Sequence, residues 1–368
     1  MDQHLYPDRL LLHPPSSTKS VVKNLGLFLC LLSTVWIGCS SGDPSRQSGN
    51  PLDADGNCHP IILPGDYEIE LSTDIDEMER AGGCGYSIEG NLQISEEEGG
   101  GEELDNLEGL ANLISIGGDL LIFENGELTN LEGLNDLTRV EGNLSIHDND
   151  ALVSMDGLSD LTRVEGDMSI FSNGLLISMD GLFNLISVGG DMSIEYHPRL
   201  DSFEDLTSFT SVEGSLSIAF NRSLVSMEGI EKLTSVGGDM NIGNNALLTD
   251  LDGLIGLTSV GQNLSIHSND ELDDLNGLAN LTSIGQNLSI YSNDELGNLD
   301  GLFNLVSIGS NLNIYSNDKL SSLAGLSSLT TIGEGLFIVE NGNLPSQAAR
   351  TLAAGVDAGT VSISDNKD

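Results

Sequence analysis

From Leu110 onward an anchoring leucine or isoleucine recurs every 24 residues without an insertion: Leu110, Leu134, Leu158, Leu182, Leu206, Ile230, Leu254, Leu278, Leu302 and Leu326. The copy from Leu278 to Gly301 shows the unit in full, and Leu302 begins it again. A fixed period in this range predicts a solenoid built turn upon turn. It overrides the two or three domains that 368 residues would otherwise suggest, because a solenoid lengthens along one axis. Aromatics are only 4% of the chain, so the expected core is long and thin.

Within each unit the columns divide the work. Leu120-x-Ile122 and its copies, through Leu288-x-Ile290 to Leu336-x-Ile338, place two apolar side chains on one face of a short strand, and stacking these strands predicts a parallel sheet. Three residues past each inner isoleucine stands an asparagine: Asn125, Asn149, Asn173, Asn221, Asn245, Asn269, Asn293, Asn317 and Asn341. An amide both donates and accepts, so a buried asparagine ladder can satisfy the backbone freed where the strand turns. His197, followed by Pro198, interrupts the ladder and predicts a distorted turn. Gly117, Gly118 and their equivalents occupy the corner before each strand, where positive φ is expected.

The N-terminal segment carries an address. Lys19 and Lys23 precede the apolar run Leu25–Ile37, which is too short to span a bilayer as an ordinary helix and reads as a signal peptide. Gly38-Cys39-Ser40 resembles the bacterial lipobox, although Trp36 stands where that motif usually has leucine. The expectation is acylation of Cys39, which several acyl chains would make a stable anchor, and sorting to the outer membrane or cell surface. Met1 to Thr18, with Pro14-Pro15 and mixed charge, is foreign to such a leader and suggests a start further downstream. Cys30 falls in the leader and Cys39 at the anchor, which leaves Cys58 and Cys84 to form a disulfide in an oxidising compartment.

Ile69-Glu-Leu71 reads as a first strand, Thr73 as the cap of a helix that Gly82-Gly83 stops, and Ile88–Ile94 as a further strand. A helix followed by Cys84-Gly-Tyr-Ser-Ile-Glu-Gly-Asn-Leu-Gln-Ile94 resembles the N-terminal cap of receptor L domains. The later units, Leu-x-x-Ile-Gly-x-Asn-Leu-Ser-Ile-x-x-Asn, resemble both that family and leucine-rich repeats. The resemblance covers about residues 58–368 and implies a right-handed, leucine-rich-repeat-like β-solenoid of bacterial surface lipoproteins; it does not identify a ligand. The acidic loop Glu96–Glu103 inserts four residues and breaks the period once. At the other end Pro345 starts a helix that Gly355 stops, and Val361–Asn366 repeats the strand and asparagine as a last turn.

The chain thus divides into a leader (1–38), a flexible acylated tether (39–57), an N-terminal cap with a helix and the Cys58–Cys84 disulfide (58–104), ten 24-residue repeats (105–343) and a helix–strand cap (344–368). A helix at each end is expected to hide the core against edge-to-edge association.

With 57 Asp and Glu against 13 Lys and Arg, the field repels nucleic acid and excludes it as a partner. If the Leu and Ile point inward, the residue after each inner isoleucine faces solvent. That column holds Phe123, His147 and Phe171 near one end and His267, Tyr291 and Tyr315 near the other, beside a column of serine and asparagine. Neighbouring strands lie about 4.8 Å apart, so these rings should stand side by side as a candidate ligand face or as a stabilising stack. The carboxylates Glu108, Glu132, Asp156, Asp180, Glu204, Glu228, Asp252 and Asp300 read as caps of the following turn or as a solvated face; weak divalent-cation binding is the other reading, although no calcium-loop motif is present. No catalytic constellation, metal-ligand spacing or cofactor motif appears. The expectation is a membrane-anchored extracytoplasmic protein that binds a protein or glycan without catalysis. A structural or adhesive envelope lipoprotein is the alternative, and an enzyme a distant one.

Overall fold

Alternation of buried and half-buried residues in Leu144-Ser-Ile-His147 and its copies is the pattern a one-sided strand requires, and each copy forms one. The computed structural model describes residues 60–70, 85–96 and 104–368, which fall within one compact unit, Pro44–Asp368. The leader, the tether with Cys39, the Cys58–Cys84 pair, the N-terminal cap helix and residues 97–103 of the acidic loop lie outside the described residues.

Thirteen parallel strands, from Tyr67–Ile69 to Thr360–Ser364, form one sheet. The register never slips along the repeats: Met168 lies opposite Leu144 and Met192, and Ile170 opposite Ile146 and Ile194. Identical positions therefore line up as columns. The four inserted residues leave the sheet intact, since Ile94 still pairs with Ile122.

A second parallel sheet, of twelve strands, was not foreseen from the sequence. Most of its members have two residues, as in Arg139–Val140 and Ser259–Val260, which is too short to display an alternation. Inward Val140 and Val260 are buried, and the backbone ladder is extended by threonine: Thr162 donates its N–H and its Oγ1–H to the Thr138 carbonyl, both at 3.0 Å. The early strands are corrected accordingly. The first members are Ile61–Leu63 and Tyr67–Ile69, not 69–71, and the continuous strand expected over 88–94 is split at Gly90 into Tyr86–Ile88 and Leu92–Ile94, one for each sheet.

Short 3-10 turns such as Asp252–Leu254, Asn276–Leu278 and Asp300–Leu302 build the remaining wall. Their first N–H groups are satisfied by the side chain two residues upstream: Asn298 Oδ1 accepts from Asp300 N–H at 2.8 Å, and Asp274 Oδ1 from Asn276 N–H at 2.8 Å. The carboxylate column is therefore not the capping column. The corner glycines are also corrected. Gly117 and Gly118 are not in the left-handed region; a Cβ on Gly118 would run into the Gly90 backbone and Asn91 of the preceding turn, so close stacking is what requires glycine there. Positive φ falls instead on a non-glycine column just before the ladder, from Glu124 (56°) to Asp365 (54°), and on another glycine column, at Gly133 (114°), Gly157 (110°), Gly181 (102°) and Gly229 (106°).

The asparagine ladder is fully buried. Asn149 Nδ2 donates to the Ile122 carbonyl at 3.0 Å, and its Oδ1 accepts from Asn125 N–H at 3.2 Å. One amide thus closes a carbonyl and an N–H at the corner of the preceding turn. His197 does not distort its turn, because the ring reaches the equivalent carbonyl: Nε2 lies 3.1 Å from Ile170 O, and the register to Leu216–Ala219 is unbroken. Its Nδ1 faces the Asn173 carbonyl at 3.4 Å, so a neutral ring leaves a lone pair against an acceptor. Burial lowers its pKa to about 4, against the backbone carbonyls at Asn173 and Ile170, which favour the charged form.

After the repeats, an α-helix, Ser346–Gly355, leads into the last strand, and Asn366 ends the ladder by accepting from Asn341 N–H at 3.1 Å. This is the one α-helix among the described residues. Val361 remains exposed, so the helix does not fully close that end.

Because the folded pKa of His197 is depressed, its neutral form contributes stability above pH 6.5 that is lost as pH falls towards 4. His197→Asn should raise stability at neutral pH by about 1–2 kcal/mol. The parent should also lose about 3 kcal/mol more than the variant between neutral pH and pH 4, as urea denaturation at both pH values would measure.

Candidate functional site

On the outward face of the thirteen-stranded sheet the strand spacing brings the rings together as expected. Phe123 and His147 stack with centroids 5.2 Å apart and planes within 11°, and His147 and Phe171 at 4.4 Å and 7°. At the other end His267 and Tyr291 stack at 4.7 Å and 4°, and Tyr291 and Tyr315 at 4.6 Å and 7°. The two trios are not brought to each other. Four strand spacings separate Phe171 from His267, about 19 Å, with Glu195, Ala219 and Gly243 between them. Stacking also turns the ring faces towards one another, so the trios show solvent mainly their edges and polar tips.

A third stack escaped the sequence reading. Tyr196 and Phe220 stand 4.6 Å apart and 4° from parallel, one residue further along, and both are exposed. Their backbones are left-handed, with φ of 61° and 58°, in a column that other turns fill with Asp, Ser, Asn or Glu. Bulky residues are unfavourable there. The legible signal was the aromatic pair in a polar column.

His267 has a defined state. Its ring lies over Gly243, where an added Cβ would collide with it, and burial lowers its pKa, keeping it neutral. Nε2 donates to Asn241 Oδ1 at 3.1 Å, while Asn241 Nδ2 donates to Ser217 Oγ at 3.2 Å, which fixes the amide orientation. Burial raises the pKa of Tyr291; burial and then Tyr291 raise that of Tyr315, so both phenols stay protonated donors.

Beside this trio runs a groove of about 520 Å³. Asp239, Asn263, Asn287 and Asn311 line it from the column before the strands, and Asn241, Ser265, Ser289 and Asn313 from the strand column. The first set is a second, partly exposed ladder. Asn263 Oδ1 accepts from both N–H (3.1 Å) and Nδ2 (2.6 Å) of Asn287, and Asn287 Oδ1 accepts from N–H (3.0 Å) and Nδ2 (2.9 Å) of Asn311.

The carboxylate column does not gather into a metal site: among the described residues no cluster of three or more His, Cys, Asp or Glu could hold an ion. Among the described residues its members do meet other carboxylates: Asp180 lies against Asp205, and Asp252, whose pKa is raised by burial and then by neighbouring charge, lies near Asp250 and Asp274. A hydrogen bond to Asp180, burial and the neighbouring charges of Asp180, Glu204 and Asp156 push the Asp205 carboxyl up to about 6. Asp205 sits where neighbouring turns have Gly181 and Gly229, so this pair is a local variation in turn packing.

Fold and face together define a leucine-rich-repeat-like parallel β-solenoid with a flat, polar, ring-bordered surface. Residues 83–181 match the family model of the Receptor L domain, so the resemblance carried by Cys84–Ile94 and the following units holds over that segment, and the later turns continue the same unit. A receptor L domain implies binding of a protein ligand in general and a role in recognition. No curated protein matches the chain.

Stacking should be measurable apart from binding. A double-mutant cycle on Tyr291→Leu and Tyr315→Leu, followed by denaturant unfolding, should give a coupling of about 0.5–1.5 kcal/mol, whereas additive effects would mean that the rings do not support each other.

Proposed function

We propose that this chain is a membrane-tethered extracytoplasmic recognition protein that binds a protein or glycan through the outward face of its thirteen-stranded sheet, with no catalytic step. The observation that carries the reading is the coincidence of the groove with the His267–Tyr291–Tyr315 trio: hydrogen-bonding groups and ring edges converge there on one rigid surface. The anchor rests on the lipobox-like Gly38-Cys39-Ser40 behind a basic and then apolar leader. An acidic surface keeps such a domain soluble and away from polyanions. The second reading, a structural envelope component with no single ligand, is favoured by the stacking itself, which gives the rings a role without a partner.

Pull-down from cell envelopes should separate the two. Replacing Tyr291 and Tyr315 together by serine should reduce capture of the bound component about tenfold or more if the trio contributes to recognition; unchanged capture with lost stability would favour the structural reading. For the tether, Cys39→Ser should move the protein from the membrane to the soluble fraction, and continued membrane retention would refute the lipid anchor.

A further inference from the structure

The groove beside the C-terminal trio restricts its occupant by which hydrogen-bonding groups it leaves free. The Oδ1 atoms of Asn263 and Asn287 each already accept two hydrogen bonds from the next turn. The amide nitrogens of Asn263 and Asn287 each have two hydrogens and give one to this ladder, so a second remains, whereas that of Asn311 gives its second to Glu334 Oε2 at 3.1 Å. The free groups at Asn263 and Asn287 are therefore N–H donors at strand spacing, joined by the Ser265 and Ser289 hydroxyls, and Tyr291 and Tyr315 stand next in line on the same strands, outside the groove lining.

Three classes of ligand fit this badly. A metal cation needs several converging oxygen donors, and the Oδ1 atoms of Asn241, Asn263 and Asn287 are already taken by hydrogen bonds. A polyanion would suit the N–H row but meets Asp239 at one end and a chain of net charge −44 around it. An extended peptide offers its own N–H groups to a row of donors, and it advances about 3.3 Å per residue against turns about 4.8 Å apart. A hydroxyl-rich neutral chain avoids all three conflicts, because hydroxyl and ether oxygens accept while hydroxyls rotate to suit their partners. The local charge agrees: the same column reads Asp119, Asn143, Asp167, Asp191, Ser215 and Asp239 and then carries three consecutive neutral amides, Asn263, Asn287 and Asn311, along the groove.

We infer that the groove lined by Asn263, Asn287, Asn311, Ser265 and Ser289 binds a neutral, unbranched oligosaccharide laid along the solenoid axis, with the edges of Tyr291 and Tyr315 as its side wall. This rests on the recognition reading above and narrows it to a ligand class. Extended β-linked sugar rings advance by close to one turn per ring, so successive sugars would meet equivalent donors.

The test is isothermal titration of the full chain with β1,4-linked hexasaccharides of glucose, mannose and N-acetylglucosamine, with hexagalacturonate and an uncharged hexapeptide as comparisons. At least one neutral sugar should bind, more tightly than either comparison. Asn287→Asp should weaken that binding by about tenfold or more, because it replaces a donor by a charge. The fold should tolerate the change: Asp167 and Asp191 hold the same column elsewhere, accepting from Asp191 N–H (2.8 Å) and Ser215 N–H (2.7 Å). Binding of none of the three sugars, preference for the peptide or the polyanion, or an Asn287→Asp variant that binds like the parent would overturn the inference. If no sugar binds while envelope capture still depends on Tyr291 and Tyr315, the ligand class alone is wrong; if that dependence also fails, so does the recognition reading.

Discussion

Everything in this fold depends on satisfying a buried backbone at each corner of a turn only 24 residues long. Where the strand ends, the chain passes through a left-handed residue and must turn inside the molecule, away from water. The buried asparagine just after that residue supplies what water would have supplied to the corner of the preceding turn, donating to one of its carbonyls and accepting from one of its N–H groups. Unsatisfied groups at that depth cost about 1–3 kcal/mol each, so the amide is as necessary as the leucines around it. The regular 24-residue spacing follows, because an insertion within a turn would remove the amide from its partner carbonyl unless the strand pairing were kept across it, as Ile94 and Ile122 keep theirs.

The same constraint explains which substitutions the array accepts. An imidazole at His197 can reach the carbonyl but cannot provide the amide oxygen, so the turn keeps its shape with a titratable weak point. Corner glycines are held by the proximity of the preceding turn rather than by φ. Positions that face solvent are free of these demands, and there the turns diverge: serine, asparagine, histidine, tyrosine and phenylalanine share columns that packing leaves open.

That division decides how far the sequence could be read. The strands carrying Leu-x-Ile, the asparagine ladder, the adjacency of Tyr291 and Tyr315 and the helix after Pro345 were legible because each rests on a period or a local signal. The second sheet was hidden because two-residue strands such as Ser259–Val260 have no pattern of their own and exist only through their neighbours. The candidate site was half legible. Its rings could be placed from their column, but the groove and the direction of the Asn263–Asn287–Asn311 hydrogen bonds depend on side-chain orientations across turns, which spacing alone does not specify. Tyr196 and Phe220 were missed because their column reads as turn chemistry everywhere else.

The chain contains two asparagine ladders, one buried for the fold and one at the surface beside the groove, and a single comparison tests whether burial is what separates them. Equilibrium unfolding of Asn269→Ala, which strands Asn245 N–H and the Ile242 carbonyl in the core, should show a loss of about 2 kcal/mol or more. The same change at Asn263, six residues earlier on the groove side, should cost less than about 1 kcal/mol because water can replace the lost bonds. Equal losses at the two positions, or a larger one at Asn263, would contradict the account.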